Sequence, residues 1–240
     1  MNNTKKTLAL SIVLALTAPS LAHAEGFYAT GQLGVTQQIN DSEAYGNNIA
    51  VDPDFPAEFD ADDGTVGSIG VGYIINNQFR VEGRIGYRES SFNQQRIGTG
   101  ARDGEEYILK GEIESYTYTI EGFYDFTNST AFTPYLKAGL GIADNSYSAK
   151  LGGAGVADFD AFDGAADGFY DAYTDGDSTE FSWNLGFGVN YELTENASIY
   201  GEYQYTSLGD VMTGQDSFTD GFMIDDLSTN ELSIGVRVSF

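Results

Sequence analysis

The sequence predicts an all-β fold: an eight-stranded antiparallel up-and-down transmembrane β-barrel, with four long extracellular loops and three short periplasmic turns. Three observations carry the prediction. Apolar and polar residues alternate with a period of two over runs of about ten residues. Long and short connections alternate strictly along the chain. Charges of both signs also stand at mid-strand on the polar faces, where the outer face of a water-soluble sandwich has no need of paired ions.

Composition agrees. The 240 residues include 30 Gly, 16 Tyr and 16 Phe but only four Pro, a mixture that suits an aromatic-rich β protein better than a helical bundle. Asp and Glu number 36 against 11 Lys and Arg, a formal charge of −25, so the chain repels nucleic-acid backbones. Cysteine is absent, which removes disulfide scaffolds, thiolate chemistry and Cys-based zinc sites.

Residues 1–24 read as a cleaved secretory signal. Lys5 and Lys6 form a positive start, Leu8 to Ala18 an apolar core, and Ala22-His23-Ala24 a small-x-small cleavage site before Glu25. The core is too short for a membrane-spanning helix, which needs about 20 residues. Cleavage between Ala24 and Glu25 removes the single histidine of the chain, so residues 25–240 can build no Ser-His-Asp or Cys-His site and no imidazole metal site. The chain is therefore expected not to be an enzyme.

The strands follow in order. The first covers 26–36 and the second 65–75, with Asn76-Asn77-Gln78 as the first short turn. The third, 79–89, sets Phe79, Val81, Gly83, Ile85 and Tyr87 against Arg80, Glu82, Arg84, Gly86 and Arg88. The fourth and fifth, 113–126 and 133–146, flank the turn at 127–132. The sixth, 180–192, carries Phe181, Trp183, Leu185, Phe187, Val189 and Tyr191 opposite Ser182, Asn184, Gly186, Gly188 and Asn190. After the turn at 193–196 comes the seventh, 197–207. The eighth, 230–240, opposes Leu232, Ile234, Val236, Val238 and Phe240 to Glu231, Ser233, Gly235, Arg237 and Ser239. Aromatic residues gather near the ends of the apolar faces, as the girdles of a lipid-facing barrel require, and an even-stranded closed barrel leaves no edge unpaired in lipid. The long connections are 37–64, 90–112, 147–179 and 208–229.

These features resemble the small eight-stranded outer-membrane barrels of Gram-negative bacteria, the group of the OmpA transmembrane domain, OmpX and OmpW. The resemblance rests on the architecture, the opening Gly26-Phe27-Tyr28, the run Pro134-Tyr135-Leu136-Lys137-Ala138-Gly139-Leu140-Gly141 and the terminal Phe240. It implies a location in the bacterial outer membrane amid its lipid and lipopolysaccharide. It also implies delivery by periplasmic chaperones and the barrel assembly machinery, with Phe240 as the assembly signal. The reading covers the barrel alone, with no OmpA-type periplasmic domain expected, so wall anchoring is not carried over.

With apolar faces toward lipid, the lumen receives Arg80, Arg84, Arg88, Lys137 and Arg237, together with Glu82, Glu121, Asp125, Glu180, Glu192, Glu202 and Glu231. Five cations against seven anions leave a residual charge of −2. Counted from the short turns, Arg80, Asp125 and Lys137 sit low, and Arg84, Glu121, Glu202 and Arg237 nearer mid-height. The expected arrangement is a closed mid-barrel network of Arg84 and Glu121 surrounded by Lys137, Glu202 and Arg237. An eight-stranded barrel is only wide enough for its side chains to fill, and pairing is how buried ions are tolerated. A salt-bridged plug therefore leads, serving envelope integrity or surface interaction, and a low-conductance porin-like channel for small solutes or ions is the alternative.

Acids also crowd the long loops, with aromatic residues among them. Asp158, Asp160 and Asp163 fail as an EF-hand, because Phe162, Asp163 and Phe169 stand where an oxygen ligand, Gly and Glu are required. Solvated acidic loops, a contact surface for an unidentified partner, and weak oxygen-only Ca²⁺ or Mg²⁺ binding at Asp60, Asp62, Asp63, Asp158, Asp160 and Asp163 all remain open readings. No other cofactor is implied.

Overall fold

The computed structural model describes residues 26–38, 43–46, 57–58, 64–97, 103–152, 169–170, 175–212 and 222–240. The segment proposed as a signal, with Ala24 and Glu25, and the loop acids Asp60, Asp62, Asp63, Asp158, Asp160 and Asp163 lie outside these residues.

Eight long strands form one closed antiparallel barrel: β1 Phe27–Gln38, β2 Gly64–Ile74, β3 Phe79–Ile97, β4 Glu106–Asp125, β5 Phe132–Gly152, β6 Gly176–Thr194, β7 Ala197–Met212 and β8 Phe222–Ser239. Each pairs with its neighbours in sequence, and β1 closes the ring on β8 from Tyr28↔Ser239 to Gln38↔Thr229. Closure leaves no unpaired edge, the condition for a sheet to cross lipid. Outside the ring, Glu43–Gly46 pairs with the start of β8 and Phe169–Tyr170 with the end of β5.

Local chemistry makes the short turns. Asn76 Oδ1 accepts from the backbone N–H groups of Gln78 (2.9 Å) and Phe79 (3.0 Å). Asn128 accepts from the Thr130 N–H at 2.8 Å and donates its amide to the Phe132 carbonyl at 2.8 Å. Both are side-chain mimics of a backbone turn.

The alternation runs inside out. Ile234 is 74 % exposed and Ile120 69 %, whereas Glu202, Glu121 and Glu82 are 2 %, 1 % and 1 % exposed. Two aromatic belts bound the apolar band. Near the short turns lie the pairs Phe27–Tyr73, Phe79–Tyr124 and Phe132–Tyr191, with centroids 5.0, 5.2 and 4.7 Å apart. Toward the other end lie Tyr87–Tyr116 at 4.9 Å and Trp183–Tyr205 at 5.2 Å. From Phe79 to Tyr87 a strand tilted about 40° climbs about 20 Å, close to the roughly 25 Å apolar band of such barrels.

Several strands run well past the expected ends. β3 continues to Ile97 instead of residue 89, β4 begins at Glu106 instead of 113, and β8 at Phe222 instead of 230. The reason is a change of polarity without a change of period. Beyond Tyr87 the outward row of β3 becomes Glu89, Ser91 and Asn93, all exposed, while Phe92 on the inward row is buried. β4 does the same with Glu112 and Glu114 outward and Ile113 buried. Above the upper belt the barrel wall therefore behaves as an ordinary water-soluble sheet, polar outside and apolar within.

Candidate functional site

The lumen is the only part of the described chain where charge is concentrated indoors, and it is built in three storeys. In the middle, two cations hold three carboxylates. Arg84 Nε lies 3.2 Å from Glu121 Oε2, and its Nη1 3.2 Å from Glu202 Oε1. Lys137 Nζ lies 3.0 Å from Glu121 Oε2 and 2.9 Å from Glu202 Oε1. These four contacts close a ring of alternating sign across β3, β4, β5 and β7. Glu82 joins it through Arg84 Nε at 2.9 Å and accepts from the Thr30 hydroxyl at 2.8 Å. Neutral donors complete the shell: Tyr135 OH to Glu202 at 2.9 Å and Asn184 Nδ2 to Glu121 at 3.1 Å. All five charged side chains are at most 6 % exposed. In such surroundings an ion persists only when paired and hydrogen-bonded.

Room for this filling comes from glycines on the inward rows. A Cβ on Gly72, Gly188 or Gly235 would overlap the rings of Tyr28, Tyr135 and Tyr200 respectively, so each tyrosine lies flat on a neighbouring strand. Phe123, Tyr135 and Tyr200 form a buried cluster under the ring.

Above the ring, Arg88 makes a two-pronged contact with Glu231, Nε to Oε1 at 2.5 Å and Nη2 to Oε2 at 3.2 Å. It also donates to Thr117 Oγ1 at 2.8 Å. Higher still, the polar lumen gives way to an apolar stopper of Phe92, Ile113, Tyr147, Leu208, Val211, Ile224 and Leu227, each at most 3 % exposed. Gly209, at φ +76°, marks a bulge where the β7–β8 register shifts on both sides, and Leu208 and Val211 are buried beside it.

Below the ring, Arg80 Nε contacts both oxygens of Asp125, at 2.9 and 3.2 Å. Its guanidinium lies 3.9 Å from the centroid of the Phe123 ring and 4.9 Å from that of Tyr135.

One placement in the expected network is corrected. Arg237, expected in the mid-barrel ring, sits instead at the mouth beside the short turns, because its ladder partners are Thr30 and Ser198 near the strand ends there. Lys137, low by its backbone position but expected among the network's members, does reach the ring, because its long apolar stem lifts the ammonium to the carboxylates. The anion count also changes. Glu192 is exposed at the rim beside the short turns and Glu180 is half-buried beside Gly209, away from the ring. Glu82, Glu121, Asp125, Glu202 and Glu231 then face the five cations, and the interior is neutral, not −2. Sequence reasoning missed the stopper and the Thr30–Glu82 contact. The stopper's signal was available in the inward row of β3 beyond Arg88, where apolar residues take the polar positions.

Among the described residues no group of three or more His, Cys, Asp or Glu side chains is arranged to hold a metal.

Comparison with known proteins agrees with this architecture. Residues 8–240 match the family described as outer membrane protein beta-barrel domain. The outer membrane protein PagN of Salmonella typhimurium is 28 % identical over 256 aligned positions, covering the whole of both chains. A putative adhesin, RC1281 of Rickettsia conorii, is 26 % identical over 149 residues, covering 61 % of this chain and 54 % of the relative. Among solved structures, OprG of Pseudomonas aeruginosa aligns with a TM-score of 0.52 at 15 % identity, over 90 % of this chain and 97 % of OprG. The Neisserial surface protein NspA aligns with a TM-score of 0.51 at 20 % identity, over the same shares.

Proposed function

Because the chain belongs to the outer membrane protein beta-barrel domain family, and so resides in the bacterial outer membrane, we propose that it is a non-enzymatic surface barrel. Its lumen is permanently filled, and its work is done by the part that stands outside the lipid. The observation that carries this reading is double closure. An alternating ring of four charges, with Glu82 attached through Arg84, fills the lumen at mid-height, and a buried apolar layer fills it again above the upper belt. A conducting path would have to break ion pairs buried from water and then wet an apolar layer.

Hydrogen-bonded strand extensions carry the barrel wall beyond the upper belt and lift the long connections clear of the lipid. That arrangement suits contact with a partner at the cell surface, and the sequence likeness to a protein described as a putative adhesin points the same way. Without histidine or cysteine after residue 24, the usual nucleophilic sites cannot be assembled. On this reading residues 1–24 are removed on export and Phe240 serves assembly.

Planar-bilayer recording of the purified, folded barrel tests the filled lumen. The expected result is no conductance above bare-lipid leakage. Sustained conductance at the level of an open porin overturns the reading and puts a channel in its place. N-terminal sequencing of the exported protein should begin at Glu25.

A further inference from the structure

The lipid-facing wall is not smooth. On the side formed by β5, β6, β7, β8 and β1 a groove of about 560 Å³ is sunk into the apolar band. Its floor lies at Gly31 and Gly201, where the outward rows lack a side chain. A Cβ on Gly201 would meet nothing within 4 Å. Leu33, Val189, Ile199, Ile234 and Val236 form the banks.

The strand ladder gives the groove a direction. Gly31, Val236, Ile199, Tyr191 and Phe132 are successive cross-strand partners on β1, β8, β7, β6 and β5. Phe132 is the first residue of β5 and Gly31 the fifth of β1, so the row climbs away from the short turns as it crosses the wall. Its lower lip is the Phe132–Tyr191 pair of the lower belt. A slender occupant therefore starts at the aromatic belt and rises into the hydrocarbon.

Size separates the two occupants that a bilayer offers, a hydrocarbon chain and a second barrel. Four interstrand steps make the groove roughly 19 Å long, and two residues along a strand make it roughly 7 Å wide. The product is roughly 130 Å², against about 800 Å² per partner in a stable protein interface. Charge then selects the lipid. The end of β6 and the turn after it expose Glu192 and Glu195, and no fully exposed Lys or Arg stands at this end among the described residues. Arg237, half-buried, leans over the Tyr28 ring, 5.7 Å from its centroid. Two carboxylates repel an anionic headgroup and attract an ammonium. A comparable dent over Gly122 and Ala138 has Phe79 and Tyr124 at its lip but the neutral turn Asn76-Asn77-Gln78 beneath it, so the headgroup argument applies to the first groove alone.

We propose that this groove is a binding site for a phospholipid with an ammonium-bearing headgroup. One acyl chain lies along the row from Phe132 to Gly31, the ester region meets the Tyr191 hydroxyl at the belt, and the ammonium pairs with Glu192 and Glu195. An aromatic residue with a polar tip suits that depth. The site rests on the barrel standing in lipid, not on whether its lumen conducts.

Native mass spectrometry tests it, on the folded full barrel in octyl glucoside with equal amounts of dioleoyl phosphatidylethanolamine and dioleoyl phosphatidylglycerol. The lipid that survives removal of the detergent should be the ethanolamine form by about threefold, the range for exposed, screened charges. Gly201→Leu fills the floor and should lower the number of retained lipids by one. Gly83→Leu, exposed on the same surface but outside the groove, should leave the number unchanged. Glu192→Gln with Glu195→Gln should abolish the headgroup preference and keep the lipid. Equal retention by wild type and Gly201→Leu overturns the proposal, and so does wild-type protein that takes both lipids equally or prefers the anionic one. A dimer that Gly201→Leu abolishes puts a second copy in the groove and overturns it too. If Gly201→Leu does not fold, the headgroup competition on wild type and on the Glu192→Gln, Glu195→Gln variant decides.

Discussion

Replacing Lys137 with Met removes one of the two cations that hold the mid-barrel ring while keeping most of the side-chain volume. In the native ring Lys137 Nζ touches Glu121 at 3.0 Å and Glu202 at 2.9 Å, and its own side chain is 0 % exposed. After substitution Glu82, Glu121 and Glu202 share Arg84 alone, and the local charge goes from −1 to −2. Removing one partner of a buried pair typically costs about 3–5 kcal/mol, because the remaining charge stays desolvated. Lys137→Met should lose that much. Adding Glu202→Gln returns the local charge to −1 and keeps an acceptor for Tyr135 OH, which now donates to Glu202 at 2.9 Å. The double variant should therefore be more stable than the two separate losses imply, by about 1–3 kcal/mol of coupling. Urea unfolding in lipid vesicles, followed by Trp183 fluorescence and by the mobility difference between boiled and unboiled samples, measures all four corners of the cycle. A single loss below about 1 kcal/mol, or strict additivity, would refute the idea that the ring is dry and tightly coupled.

Other consequences can be checked on the same footing. By the same logic Glu121→Gln should destabilise the barrel or raise ion leakage, and Arg84→Met in the same chain should recover part of the loss. Phe92→Ala hollows out the stopper beside Tyr147, whose ring centroid is 5.7 Å away. It should cost about 3–5 kcal/mol in the same unfolding assay. Glycines should divide sharply. Gly72→Ala forces a Cβ into the Tyr28 ring and should destabilise, whereas Gly201→Ala meets nothing within 4 Å on the lipid-facing wall and should stay within about 0.5 kcal/mol of wild type. Above the upper belt, partial burial and then the neighbouring Glu89 and Glu114 raise the pKa of Glu112. The folded state thus holds this proton more tightly than the unfolded chain. The associated stability is present below the ordinary carboxylate pKa and is lost as pH rises through the raised value. Glu112→Gln should flatten that acid-side dependence, and an unchanged unfolding profile between pH 4 and 7 would contradict it. Solvent screening keeps the effect small, since Glu112 is exposed.

The barrel was legible in the chain because a membrane imposes a simple rule on strands. Phe79, Val81, Ile85 and Tyr87 must meet lipid, so every second residue is apolar, and the residues between them must turn inward whatever their charge. That rule gives strand number, the inward-facing rows and most of the lumen residues from one-dimensional information alone, but near the strand ends it counts Glu180 and Glu192, which stand outside the filled lumen. It is silent on height and on partners. Strand tilt and stagger decide that Arg84 meets Glu82, Glu121 and Glu202 together, and that Arg237 falls to the short-turn mouth beside Ser198. It is also silent above the lipid, where Phe92 and Ile113 turn inward and Glu89 and Glu114 outward. There the solvent changes from hydrocarbon to water, and the same period of two acquires the opposite sign. Alternation is a local property of the backbone, readable anywhere along the sequence. Which side of it is the inside, and which charge lies opposite which, depends on the medium and on the closure of the whole sheet.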